Sequence, residues 1–150
     1  MADFLESPVA PFFLAEFQAG PDVVTLVHPM GSYQHKFAVF IQAKLREQLH
    51  DKVHSLAMTN PQKFYHTKKD HILKGWEKCY QHVIDVLERK YEGIFRILIT
   101  YPATVKLEKE EDNEKNEESV MEKCDIKEWI AIIDSQNCKL VFDPLHFNLI

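Results

Sequence analysis

Only three of the 150 residues are cysteine, and Cys79, Cys124 and Cys138 lie too far apart to form a C-x-x-C pair. An odd, scattered set favours neither a disulfide framework nor a zinc ribbon, and fits reduced thiols in an intracellular compartment. Glycine is nearly as scarce, with four in the chain. No GxGxxG, GxxxxGK[ST] or GxSxG occurs, so neither a phosphate-cradling loop nor a nucleophile elbow can be built from a known pattern. No apolar run approaches the roughly 18 residues of a membrane span. Residues Met1 to Pro11 also lack the basic start and apolar stretch of a secretory signal. There is no basic excess either, since the formal net charge is −5.

What the chain does have is apolar mass. Hydrophobic residues make up 45% of it and ten are phenylalanine, enough for one domain of ordinary size to bury a core unaided. The acidity is local. The run Glu108 to Glu118 holds seven acidic and two basic residues, a charge of −5, which leaves the rest of the chain at zero. With no apolar residue in it, this tract cannot offset its ordering entropy, and it reads as a flexible loop over about residues 108–119 within a single domain spanning 1–150.

Turn residues and periodicity divide the remainder. Phe12–Phe17 and Val23–Val27 read as short strands around Gly20-Pro21, a hairpin at the N-terminus. Phe37, Ile41, Leu45, Leu49 and Val53 recur every four residues, with Leu56 ending the stripe, and predict a helix that stops before Pro61. Phe37 to Ile41 also reads as the end of a strand. A second helix is expected from an Asp70 N-cap to about Tyr91, with Ile72, Trp76, Cys79, Tyr80, Val83 and Leu87 inward and Gly93 as its C-terminal cap. Ile94–Thr100 suits a central strand, and Ala103–Leu107 a further one. Ile126–Ile133 and Lys139–Phe142 flank Asp134-Ser135-Gln136-Asn137, a hairpin turn by composition. The sum is an α+β fold: two helices packed on a mainly antiparallel sheet, with an N-terminal hairpin.

Few patterns carry chemistry. His50 and His54 stand four apart and could share a helix face as zinc-binding histidines do, which would suit a small metal-dependent hydrolase. The general-base glutamate that follows the first histidine in such helices is replaced by Asp51, and no third ligand is evident. No motif calls for a cofactor. Lys63, Lys68 and Lys69, interleaved with Phe64, Tyr65 and His66, form the stretch most like a nucleic-acid contact. A body of zero net charge limits it to weak DNA binding. Val141, Phe142, Leu145, Phe147, Leu149 and Ile150 crowd the end of the sequence and need either their own core or a partner interface.

Taken in order, Ala19-Gly20-Pro21-Asp22-Val23, then Leu45, Gln48-Leu49, Asp51 and Val53, then Trp76-Glu77 and Ile97-Leu98-Ile99-Thr100-Tyr101-Pro102 resemble the membrane-anchored junction protein family of meiotic telomeres over about residues 1–105. The resemblance implies a nuclear, homodimeric scaffold that grips a segment of a partner protein while telomeres are tethered to the nuclear envelope. Trp76, Val83, Leu87 and Ile94–Thr100 are also similar to the second helix and first strand of Tctex-type dynein light chains, which implies a dimeric peptide-binding adaptor. From the residues and these resemblances together, the expected function is that of a non-enzymatic scaffold or adaptor for a protein segment.

Overall fold

The computed structural model describes residues 1–16, 18–29, 36–46, 52–67, 69, 71–104 and 126–138, with the backbone alone at 46 and 52–54. The elements are α1 (Ala2–Glu6), β1 (Phe12–Leu14), β2 (Val23–Val27), β3 (Phe37–Arg46), α2 (Lys52–Ala57), a 3-10 turn (Pro61–Lys63), α3 (Glu77–Lys90), β4 (Gly93–Pro102) and β5 (Lys127–Ile133). The strands form one five-stranded sheet in the order β1-β2-β3-β4-β5.

The α+β class holds, but the sheet is mixed rather than mainly antiparallel. β1–β2 and β2–β3 pair antiparallel, whereas β3–β4 and β4–β5 pair parallel. Parallel neighbours need a crossover, and the segment carrying α2 and α3 makes the one from β3 to β4. Three helices are present among the described residues.

The helix expected from Phe37 is instead strand β3 through Arg46, and only Lys52–Ala57 is helical. Phe37, Ile41 and Leu45 recur every four residues, but Val39 and Ala43 fill the gaps, so the same residues satisfy a period of two. Pairing on both sides, with β2 and β4, selects that period.

α3 begins at Glu77 with Trp76 at its N-cap, six residues later than the expected Asp70 cap, and Asp70 lies outside the described residues. Trp76 takes the N-cap position without a side-chain cap, while Glu77 complements the helix dipole at one end and Arg89 and Lys90 at the other. Tyr91, in an extended conformation, ends the helix. Gly93 is therefore the first residue of β4 rather than a cap, and it serves close approach. A Cβ there would stand 2.5 Å from the Trp129 ring and 2.8 Å from the Lys127 carbonyl.

Ala103 and Thr104 are not in a strand, and residues 105–107 lie outside the described residues, as do the acidic tract and Lys139–Phe142. The Asp134 turn is built by its own side chain: Oδ1 accepts the amides of Gln136 at 2.9 Å and Asn137 at 3.3 Å.

One side of the sheet carries the core. Phe13, Val24, Leu26, Ala38, Phe40 and Ile94 meet Phe4, Leu5, Phe64, Tyr65, Val83, Val86 and Leu87 from α1, α3 and the loop between α2 and α3. On the same side Arg96, nearly buried, donates to Glu128 at 2.6 Å and to the Leu56 carbonyl at 2.9 Å, which ties the end of α2 to β4 and β5.

Candidate functional site

Side chains alternate across a strand, so the pairing register fixes what the other side of the sheet presents. One row reads Phe12–Thr25–Val39–Phe95–Trp129 from edge to edge, and the next reads Leu14–Val23–Ile41–Ile97–Ala131. Beyond them run Val27–Phe37–Gly93–Lys127, then Ala43–Ile99–Ile133, and finally Leu45–Tyr101. Lys127, at a corner, is the one charged residue in these rows. None of the buried core cluster belongs to them. The helices pack on the opposite side, so among the described residues no helix covers this face.

Six of the eight large apolar residues left to solvent among the described residues gather here, Val9 and Ile130 being the others. Leu45 is 80% exposed, Leu14 67%, Tyr101 56%, Phe12 53%, Trp129 44% and Val27 40%. At side-chain areas of roughly 150–250 Å² each, these six alone present about 600 Å² of apolar surface. A monomer's largest apolar patch is ordinarily about 300–600 Å². Phe37, Phe95 and Trp129 give the face a rigid aromatic centre, with ring centroids 5.0 to 5.7 Å apart. Phe95 and Trp129 stack at 22°, and Phe37 meets Trp129 edge-on at 71°.

A second feature is a cleft of about 320 Å³ between α1 and the first turn of α3. Tyr65 and Trp76 form its aromatic wall, stacked at 4.9 Å and 12°. Tyr65 holds a left-handed backbone at φ 60. Burial, then the nearby Glu16 carboxylate, pushes its phenol above the usual tyrosine range, so it remains a hydroxyl. Cys79 is exposed and lines this cleft with His82, instead of packing in the core. It falls on the apolar arc of α3 by angle, but the first turn of that helix faces the cleft.

The residues singled out in the sequence fare differently. His50 lies outside the described residues, and His54 belongs to α2 with its side chain outside them. Lys63 ends the 3-10 turn half-buried, Lys69 is exposed, and Lys68 lies outside the described residues. Phe64 and Tyr65 between them are core residues, 0% and 2% exposed, and so are not free to stack on bases. Val141, Phe142, Leu145, Phe147, Leu149 and Ile150 lie outside the described residues.

Sequence reasoning missed the open face. The usable signal was the doubled apolar alternation of Phe37–Leu45 and the near-continuous apolar runs of β4 and β5, which belong to strands expecting cover on both sides. No helix among the described residues is long and apolar enough to cross a membrane. No group of three or more His, Cys, Asp or Glu side chains that could hold a metal ion occurs among the described residues. Comparison with protein-family models, with curated proteins and with solved structures finds no match to this chain.

Proposed function

We propose that this chain is a non-enzymatic protein-binding scaffold that associates through the open face of its sheet, with a second copy of itself as the occupant. The observation that carries the reading is the face itself: five strands wide, apolar but for Thr25 and the corner Lys127, with six large side chains 40–80% exposed. Five strands at about 4.8 Å spacing make a face about 20 Å wide. A single helix, about 10 Å across, would leave half of it wet. A second twisted sheet of the same width covers it in the aligned packing of β-sandwiches, about 10 Å away. The exposed six, with their partly covered neighbours, approach the roughly 800 Å² per partner of a standard interface. An isologous contact also brings no unmatched charge to the centre, because the centre has none.

The likeness to the junction proteins of meiotic telomeres supplies the setting of this proposal, a nuclear scaffold that attaches telomeres to the nuclear envelope. That setting rests on residue order alone. The Tctex-like alternative is less well served, since three strands precede α3 here and half of the strand pairings are parallel.

Sedimentation equilibrium tests the association. The native chain is expected at twice its 17.6 kDa mass. Tyr101→Lys should shift it to a monomer with an unchanged circular dichroism spectrum. A native chain that stays monomeric at tens of micromolar, typical of weak dimers, would overturn the second-copy reading.

A further inference from the structure

On the helix-bearing side of the sheet, the cleft between α1 and the first turn of α3 contains a hydrogen-bond donor with nothing to donate to. Tyr65 lines this cleft and is 2% exposed, yet its hydroxyl has no hydrogen-bond partner among the described residues. Leaving such a group unpaired costs free energy, and water or a ligand ordinarily satisfies it. The Glu16 carboxylate, which also lines the cleft, meets the Met1 amino group at 3.5 Å rather than the phenol. Burial, then the charges of Glu16 and Cys79, hold the phenol above its usual range, so it stays a donor at any physiological pH. Both of those groups line the cleft, which sets the hydroxyl toward that space. The donor is also fixed in place. The Tyr65 amide donates to the Gln18 carbonyl at 3.1 Å, and the Tyr65 carbonyl accepts from the Leu73 amide at 2.7 Å. Its ring lies against Trp76 at 4.9 Å and 12°. A rigid aromatic wall with an unused donor is formed before any ligand arrives, so little ordering is lost on binding.

Volume and charge narrow the occupant. The 320 Å³ of the cleft stands at the lower end of small-molecule sites, which run from roughly 300 to 1,000 Å³. Asp3 and Glu16 line it together with Lys78 and His82, so the lining carries both signs and selects neither an anion nor a cation. The aromatic wall favours a flat ring, and the phenol favours an acceptor oxygen on that ring. We infer that this cleft binds a small, neutral, planar aromatic molecule bearing a carbonyl group, its ring against Trp76 and its carbonyl oxygen accepting from Tyr65 Oη. The site is independent of association through the open face, because α1 and α3 pack on the opposite side of the sheet.

The probe is indole-3-carboxamide, titrated into the isotope-labelled full chain and followed by NMR at the indole N–H signals of its two tryptophans, Trp76 and Trp129. The Trp76 signal, assigned through Trp76→Phe, should shift saturably with a dissociation constant below about 1 mM, while that of Trp129 stays in place. Tyr65→Phe should weaken binding about fivefold. The same variant should leave the melting temperature within about 2 °C, because its hydroxyl has no partner to lose. The analogue 3-methylindole, which lacks the carbonyl, should bind the native chain and Tyr65→Phe equally to within about twofold. At a few times its dissociation constant, the amide should slow alkylation of the exposed Cys79 by iodoacetamide about threefold or more and leave Cys138 unaffected. A shift at Trp129 without one at Trp76 would overturn the site. Equal affinity of the native chain and Tyr65→Phe for the amide would overturn the hydroxyl as the recognising group. Tighter binding of indole-3-carboxylate than of the amide would overturn the neutral class. No saturable shift at Trp76 up to about 10 mM amide would overturn the proposal as a whole.

Discussion

Arg96 of β4, 8% exposed at its side chain, donates to Glu128 of β5 at 2.6 Å and to the Leu56 carbonyl at 2.9 Å, and its Nε reaches Thr59 at 3.3 Å. One guanidinium thereby holds the end of α2 against two strands. Arg96→Ala should cost about 2 kcal/mol, since it removes a nearly buried guanidinium's hydrogen bonds to α2 and β5 together, while Thr59 still donates to the Leu56 carbonyl from its hydroxyl at 2.7 Å and its amide at 3.1 Å. Glu128→Gln, 44% exposed, should cost about 1 kcal/mol or less. Urea denaturation of both variants checks the difference, and equal losses would contradict the assignment of the buried side of this pair as the important one.

Gly20 and Gly75 both hold positive φ, at 114 and 89. Their surroundings differ. A Cβ at Gly20 would meet the Met58 carbonyl and the Phe64 ring, each at 2.7 Å, whereas one at Gly75 meets nothing within 4 Å. Gly75→Ala should therefore cost about 1 kcal/mol, from backbone strain alone. Gly20→Ala should cost at least about 1–3 kcal/mol more, because backbone or a fully buried ring must also shift. Thermal melts of the two variants measure the ordering directly.

Trp76 was expected on the buried face of a helix and stands instead at its N-cap, half-buried and stacked on Tyr65. Trp76→Ala is expected to cost about 2–3 kcal/mol, below the 3–5 of a fully buried aromatic. A loss at the top of that range by chemical denaturation would place Trp76 deeper than it lies.

The Tyr91 hydroxyl donates to the Leu5 carbonyl at 2.7 Å and anchors α1. Burial, with the Glu6 carboxylate second, raises its phenol from the usual 10 to about 12. A raised value means that the folded chain keeps a proton that the unfolded chain releases. The contribution is thus complete below pH 10 and is lost as pH rises from 10 through about 12. Tyr91→Phe should cost about 1 kcal/mol at neutral pH and flatten part of the alkaline loss of stability. Denaturation midpoints measured from neutral pH to pH 12 check both limbs.

How much of this was legible in the sequence follows from which signals are local. β2, β4 and β5 carry dense β-branched and aromatic runs, and all three lie within a residue or two of where Val23–Val27, Ile94–Thr100 and Ile126–Ile133 place them. β3 was misread because a period of four is contained in a period of two, and only its neighbours decide between them. The start of α3 was misread because Asp70 is a good cap by composition, while Glu77 is where the helix hydrogen bonds begin. The mixed pairing and the open face are tertiary facts. No window of sequence shows that Phe37, Phe95 and Trp129 share one side of a sheet on which no described helix packs.

The central claim is that the face bearing Leu45 and Tyr101 meets another polypeptide. Photo-crosslinking tests it most directly, with a benzophenone amino acid placed at position 101 and, as a control, at Asp85 on the exposed side of α3. The expected result is an intermolecular adduct from position 101, mapped by mass spectrometry to β3, β4 or β5 of a second copy, with little adduct from position 85. Crosslinks from position 101 confined to its own chain, or equal yields from the two positions, would contradict the claim.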